Sequence, residues 1–334
     1  MTEKMTDILV DTSNMFHRAK FVVRSDDPEE MVAMALHIMF KSINKVWRQF
    51  GGKNCHVVAC FEGSSWRKEV EPTYKANRAV RRAALTPAQV EQDKVFFAGF
   101  DKFREWITNK TNCTSLQHSR CEADDFIGRW IQTHPDRNHV IISSDTDYYQ
   151  LLAENVSQYN GITQQTITID GITDMDGKPL LDKKTKEPVP APNPQWLLFE
   201  KCIRGDTSDN IFSAYPNVRT KSTKNKVGLL EAFADRETKG YNWQNLMLQT
   251  FDHHDGNTYV VKDRYEANKL LIDLTQQPDD IKQALDQTIA EALAREPRKQ
   301  VGTEFLRFCG KWQLMELSKY PDSHIAYLGA RYNG

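Results

Sequence analysis

Three short apolar runs in this chain each end on an acid, and helical patterns lie between them. Asp7–Asp11 reads DILVD, His56–Glu62 reads HVVACFE and His139–Asp145 reads HVIISSD. Runs of this length, rich in β-branched residues, read as buried strands. Met31–Phe50 carries apolar residues at helical spacing between the first two runs, and Val90–Thr108 does so before the third. Strands alternating with helices specify an α/β fold with a mostly parallel sheet. In such sheets the ligand crevice forms beyond the carboxyl ends of the strands. Asp11, Glu62, Asp145 and Asp147 are therefore expected along one edge.

A second acidic group lies just upstream of the third run, in CEADDFIGRW. Phe126, Ile127, Trp130 and Ile131 recur at helical spacing, so Glu122, Asp124 and Asp125 open a helix. Glu122 is expected ahead of it and the two aspartates in its first turn, where free N–H groups and the dipole favour negative charge. Caps and solvated surface are the plain alternative for this triplet. Asp145 and Asp147 are harder to explain that way, because two anions at one strand end repel. A divalent cation relieves that repulsion.

The rest of the composition narrows the class. With 334 residues there is room for one large domain or two smaller ones. The net charge of -1 gives no global attraction to nucleic acid or membrane, so any polyanion contact needs clustered cations. The six cysteines show no CxxC pair or framework spacing and read as reduced thiols. Neither a signal core nor a run of membrane-spanning length is present, which leads to the expectation of a soluble cytoplasmic protein.

Cations do cluster. Trp66–Arg82 carries Arg67, Lys68, Lys75, Arg78, Arg81 and Arg82 against two glutamates, with Trp66 and Tyr74 as aromatic planes. Lys75, Arg78 and Arg82 can share a helix face. Cations beside stacking surfaces suit a single-stranded nucleic-acid channel, where a solvated charged helix is the alternative. Arg219–Lys226 has four cations and no acid in eight residues: Arg219, Lys221, Lys224 and Lys226. That loop suits contact with a duplex backbone. Asp206 and Asp209 in IRGDTSDN either cap a helix or supply further metal ligands. Gln164–Pro194 reads as a hairpin or β-excursion followed by an extended linker. His253 and His254 have no partner at metal spacing and are given a structural or solvent role.

Taken in order, VD, the acid with WRKE…YKANR, CEADD, SSDTDYYQLL and IRGDTSDN resemble the 5′→3′ exonuclease/flap endonuclease family. The WRKEVEPTYKANR segment is most similar to the phage exonucleases, and GDTSDN with the helical tail to a phage ribonuclease H. The resemblance covers roughly the first 230 residues and implies a PIN-like nuclease core with a helical arch and a helical C-terminal region. It implies domains at 1–205, with the arch near 66–87 and an insertion near 162–194, and at 206–334. An atypical helix-hairpin-helix is expected near 206–233. Asp11, Glu62, Glu122 and Asp124, with Asp125 adjacent, would line a first metal site, and Asp145, Asp147, Asp206 and Asp209 a second. Lys75 and Arg78 would stand near the scissile phosphate. The chain departs from the family in having Glu62 where aspartate is usual. It also has IFSAYPNVRTKSTKNKVGLL in place of the Gly-rich turn that follows GDxxDN.

Two Mg2+ ions about 4 Å apart, with Mn2+ able to substitute, would activate water and stabilise the leaving oxygen. Hard ions of this kind take oxygen ligands, which the aspartates provide. The resemblance thus implies a monomeric, metal-dependent 5′-nuclease acting on DNA 5′ ends, flaps and nicks. RNA–DNA hybrids would be further substrates, in phage DNA replication within the host cytoplasm. A single-strand-binding protein or clamp would be its partner. A non-catalytic nucleic-acid scaffold, a PIN-type ribonuclease and a DxD-type phosphatase are the alternatives. In the last of these the nucleophilic aspartate ordinarily follows the first strand, whereas DTDY comes late here.

Overall fold

The computed structural model describes residues 4–332 except 23, 24, 26, 51, 225 and 253–255, and for 19–22 and 53 only the backbone. His253 and His254 lie outside the described residues. The chain divides into two compact units. Met1–Ser65, Leu85–Pro192 and Pro278–Gly334 make the first; Trp66–Ala84 and Asn193–Gln277 make the second. This grouping cuts across the boundary expected at residue 205, because the last helices join the unit that holds the first strand.

The first unit is built on a seven-stranded sheet, β1 (Thr6–Asp11), β2 (Cys55–Cys60), β3 (Thr114–Leu116), β4 (Asn138–Ile142), β5 (Val156–Asn160), β6 (Gln165–Ile167) and β7 (Ile172–Thr173). Their spatial order is β3-β2-β1-β4-β5-β6-β7. The first five run parallel, and β6 and β7 are antiparallel additions. The expected excursion after Gln164 therefore extends the sheet edge. From β1 the chain builds outward to β3, then returns to place β4 on the other side. The order reverses between β1 and β4, which is where an open α/β sheet leaves a crevice.

Alternation along β1 sorts its side chains. Ile8 and Val10 face a core shared with helices Pro28–Gln49 and Pro87–Lys110, through residues such as Leu36, Phe40, Phe96 and Phe103. Both helices begin on proline, after Asp27 and Thr86 respectively. Those caps accept a backbone N–H at the helix start, and Thr86 forms a reciprocal capping box with Gln89. Phe40 meets Phe103, Trp106, Phe305 and Phe308 edge-on, so helix Val301–Lys311 seals the same layer. Leu9 faces the other side, where helices Ala123–Thr133 and Asp279–Leu293 pack. Asp7 and Asp11 share that side.

At the N-terminal end of the sheet, Asp7 is in register with His56 on one side and His139 on the other. Fully buried Asp7 accepts hydrogen bonds from Trp130 Nε1 at 2.9 Å and Arg137 Nη1 at 3.0 Å. Burial pushes the His56 imidazole down to about 4, so it is neutral at pH 7.

The second unit is helical around Phe199, Cys202, Ile203, Leu229, Leu246 and Val261. A hairpin of β8 (Thr250–Asp252) and β9 (Thr258–Val260) completes it. Asn268 Nδ2 donates to the carbonyls of Cys202 and Phe212, tying helix Val261–Ile272 to helix Pro194–Arg204. Among the described residues no helix is long and apolar enough to cross a membrane. All six cysteines are buried thiols.

Candidate metal centre

Asp11 is the last residue of β1, and only 5% of it is exposed. Its Oδ1 accepts the Asn14 N–H at 3.0 Å, while Oδ2 accepts Ser143 Oγ at 3.1 Å and the Tyr148 hydroxyl at 3.0 Å. Burial, helped by the charge of nearby Asp145, raises its carboxyl to about 6, against the lowering effect of those donors. A nearby cation would offset the cost of burying this charge and favour the carboxylate over its protonated form.

Ser143 follows β4 directly and links the two strand ends. Its hydroxyl donates to Asp11 and accepts the Asp145 N–H at 3.1 Å. Asp145 caps the short 3-10 turn Thr146–Leu151 by accepting the Asp147 N–H at 3.0 Å. Gln158 Nε2 holds the loop from below, donating to the carbonyls of Ser143 and Asp145 at 2.9 and 2.8 Å. Asn14 Oδ1 accepts from both the N–H and the Oγ of Ser144. These contacts leave Asp145 solvent-exposed and Asp147 half-buried.

Glu122 sits where its sequence places it, as the N-cap of helix Ala123–Thr133, with Asp124 and Asp125 in the first turn. The capping box is completed by Asp125, whose Oδ2 accepts the Glu122 N–H at 2.9 Å. Ser65 Oγ donates to Glu122 Oε2 at 2.6 Å. Ligand atoms of Glu122, Asp124 and Asp125 all lie within 4.8 Å of one another. Glu62 joins them, because its Oε2 accepts the Ala123 N–H at 3.3 Å. Gly63 makes this approach feasible: a Cβ there would stand 2.0 Å from the His118 carbonyl oxygen. The side chain of Glu62 is thereby drawn to the same helix start as Glu122.

Sequence patterns alone do not single out Ser143, Tyr148, Asn14, Ser65 or Gln158. The available signal was local, since four of the five lie within three residues of a named acid. Gln158 comes from the neighbouring strand and left no such mark.

The basic segment sits differently from expectation. Trp66, Arg67 and Tyr74 are 2%, 1% and 2% exposed. Arg67 Nε donates to the Leu271 carbonyl, and Tyr74 packs in the core of the second unit. An aromatic that stacks on bases and one that fills a core read alike in sequence; here the core claims both rings, and Arg67 with them. Lys75 precedes helix Ala76–Ala83 in a left-handed conformation (φ 56°), so it does not share that helix's face. Lys75 and Arg78 both reach Asp209, at 3.5 and 2.8 Å. Asp206 is paired with Lys201 at 2.6 Å. Both aspartates are thus neutralised within the second unit. Arg81 and Arg82 are exposed on a helix with no buried residue. Arg219, Lys221, Lys224 and Lys226 are exposed too. There, Gly228 lets two backbones meet, since a Cβ on it would stand 2.3 Å from the Lys221 carbonyl carbon.

Oxygen donors alone make up the carboxylate group of the first unit: Asp11, Glu62, Glu122, Asp124, Asp125, Asp145 and Asp147. Such a donor set fits hard divalent cations and not zinc-type thiolate or imidazole chemistry.

Known proteins resemble this chain in sequence and in fold. A family model described as 5′-3′ exonuclease, N-terminal resolvase-like domain, matches residues 6–177. The chain is 25% identical to a 5′-3′ exonuclease of Mycoplasmopsis pulmonis over 219 residues, 65% of this chain and 64% of that protein. It is 25% identical to DNA polymerase I of Rhizobium leguminosarum over 184 residues, 54% of this chain but only 15% of the polymerase. The chain thus spans less than two thirds of either relative. Its fold is similar to the bacteriophage T5 flap endonuclease solved with DNA and metal ions, with a TM-score of 0.57 and 20% identity over 86% of this chain and 98% of that one. Zinc-bound T5 5′-exonuclease superposes with a TM-score of 0.58 and 18% identity, covering 86% and 99% of the two chains. Because that family model covers residues 6–177, half of the chain, this chain belongs to the 5′-3′ exonuclease family.

Proposed function

We propose that this protein is a metal-dependent 5′-nuclease that hydrolyses phosphodiester bonds at DNA 5′ ends, flaps and nicks, and removes RNA from RNA–DNA hybrids. The observation that carries it is the edge where β1, β4 and the start of helix Ala123–Thr133 bring acids together, with Asp11 buried and raised to about 6. Divalent cations held there, two Mg2+ in this reading with Mn2+ as a substitute, would lower the pKa of a water and offset the negative charge of the phosphate. Asp11, Glu62, Glu122, Asp124 and Asp125 would hold the first and Asp145 and Asp147 the second.

The chain's own residues prepare this site. Ser143, Tyr148 and the Asn14 amide fix the Asp11 carboxylate by three hydrogen bonds. Ser65 orients Glu122, and Gln158 sets the height of the Asp145 loop. Lys75 and Arg78 are the proposed phosphate contacts, exchanging Asp209 for the substrate. Arg81 and Arg82 would guide a single strand, and Arg219, Lys221, Lys224 and Lys226 a duplex backbone. Action as a monomer, alongside a single-strand-binding protein or clamp in the cytoplasm of a phage-infected host, completes the reading.

The test is cleavage of a 5′-labelled flap duplex in Mg2+ and in EDTA, beside a nicked duplex, an RNA–DNA hybrid and a closed single-stranded circle. Metal-dependent release of 5′ products with the circle intact is the expected result. Binding without cleavage in Mg2+ and Mn2+ would sink it.

A further inference from the structure

Helix Pro28–Gln49 carries more than its buried face requires. Lys41, Lys45 and Arg48 recur at i, i+4 and i+7, which places them in one row on its outer surface. Two cavities open along this row. The first, about 310 Å3, begins at Asn14, Ser143 and Ser144 and reaches Lys41 past Arg18 and His37. The second, about 800 Å3, continues over Lys45 and Arg48 to Tyr159 and Gln164. Lys41, Ser42, Gly161 and Gln164 line both, so the two form one groove. Gly161 keeps the junction open, because a Cβ there would press on Ser42 Oγ at 3.1 Å.

What sets the cations of this groove apart is their alignment along one cavity wall, while several cations elsewhere in the unit are ion-paired. Lys94, Arg104 and Arg120 each hold a carboxylate at 3.0, 2.9 and 3.0 Å. Among the described residues, no carboxylate lies within ion-pair distance of Lys41, Lys45 or Arg48. Lys45 instead touches Gln164 Oε1 at 3.5 Å and lies 5.4 Å from the Tyr159 ring centre. The acids nearby are Asp176, in the wall of the second cavity, and Glu316, which is already paired with Lys319. A row of cations along one groove, without carboxylates at ion-pair distance, matches the regular charge spacing of a phosphate backbone. The near end of the groove gives its identity: Ser143 donates to Asp11, so the groove starts at the carboxylate edge.

We propose that this groove carries the sugar–phosphate backbone of a nucleic-acid strand away from the carboxylate edge, with Lys41, Lys45 and Arg48 as phosphate contacts. The inference rests on reading that edge as a nucleic-acid hydrolase. From Lys41 to Arg48 the helix rises about 10 Å, enough for about three phosphates at the 3.4 Å spacing of a stacked strand.

The experiment compares wild type with the triple variant Lys41→Ala/Lys45→Ala/Arg48→Ala. Binding of a fluorescent flap duplex is followed by anisotropy in EDTA from 50 to 200 mM salt, and KM is measured in Mg2+. A control variant, Lys102→Ala/Lys299→Ala/Lys311→Ala, removes the same charge from exposed positions elsewhere on the unit. The groove variant is expected to lower the slope of log affinity against log salt by about 2 to 3. Its affinity at 0.1 M salt should fall about tenfold or more, and its KM should rise in step. An unchanged slope and KM in the groove variant overturns the inference. So does an equal loss in the control, which would assign the effect to net charge. A wild type that neither binds nor cuts nucleic acid instead overturns the hydrolase reading on which this one rests.

Discussion

Asp11 shows how one residue's surroundings set its chemistry. Its carboxyl is raised to about 6 chiefly by burial, yet three donors hold its oxygens. Tyr148→Phe removes one donor from the charged form, and such bonds contribute about 1.5–3 kcal/mol. The carboxyl should rise further, and a proton then competes better with a cation. We expect the half-saturating Mg2+ concentration for cleavage to increase about tenfold at pH 6.5, with a smaller increase at pH 8.5, read from metal titrations at both pH values. Equal increases at both would leave Tyr148 with a packing role only. Asp147→Asn tests the facing strand end. It removes one of the proposed anionic ligands but preserves size, so cleavage should drop by more than about a hundredfold. The urea midpoint and the affinity for DNA in EDTA should stay close to wild type.

Elements add effects that no single residue displays. The row His56–Asp7–His139 exists because three parallel strands share a register, and β1 is the middle one. His56 is pushed down to about 4 by burial, and so is His324, from an ordinary 6.5. Below pH 6.5 the unfolded chain takes up protons that the native state refuses, so stability present above 6.5 is lost as pH falls towards 4. Asp11 works in the opposite sense, since its native carboxyl binds a proton between about 6 and 3.8. His37 and His139 are lowered as well, so four histidines against Asp11 leave a net loss. The urea midpoint should therefore fall steadily from pH 6.5 to 4, and His56→Asn should make that decline shallower. A midpoint independent of pH in this window would contradict the buried row. The link from β2 to the helix carrying Glu122 depends on Gly63, which faces backbone rather than a flexible side chain. Gly63→Ala should cost about 2–3 kcal/mol in urea unfolding, with weaker metal-dependent activity because Glu62 moves with the turn.

At the scale of the whole molecule, charge is arranged rather than abundant. The chain is close to neutral, at -1, yet its exposed loop at Arg219–Lys226 is free of acids. Replacing Arg219, Lys221, Lys224 and Lys226 with alanine should weaken duplex binding alike for all sequences. The salt slope should fall by about 3 to 4 if each cation meets one phosphate. A loss confined to particular sequences would point to base contacts instead. The family glycine-rich turn is absent here, but Gly228 still lets the basic turn fold tightly against the start of helix Leu229–Ala234.

Much of the acidic edge is legible in the residues alone. Apolar runs bound for burial carry their own strand signal, and an acid at the end of each is a local fact about the chain. The CEADD pattern likewise places Glu122 at a helix start, since capping is decided within four residues. The fate of Trp66, Arg67 and Tyr74 is not legible, because a cation beside an aromatic looks the same in a nucleic-acid channel and in a core. Nor is the pairing of Asp209 with Lys75 and Arg78, since ion pairs between segments so far apart in the chain need the fold. The sequence by itself determined which elements form, which acids end them and where the cations cluster, because those depend on neighbours in the chain. Only the tertiary structure decided that β1 lies between β2 and β4, that Ser143 and Tyr148 close on Asp11, and that Lys41, Lys45 and Arg48 share a groove with β5. Those relations join segments distant in sequence, and packing, not local preference, brings them together.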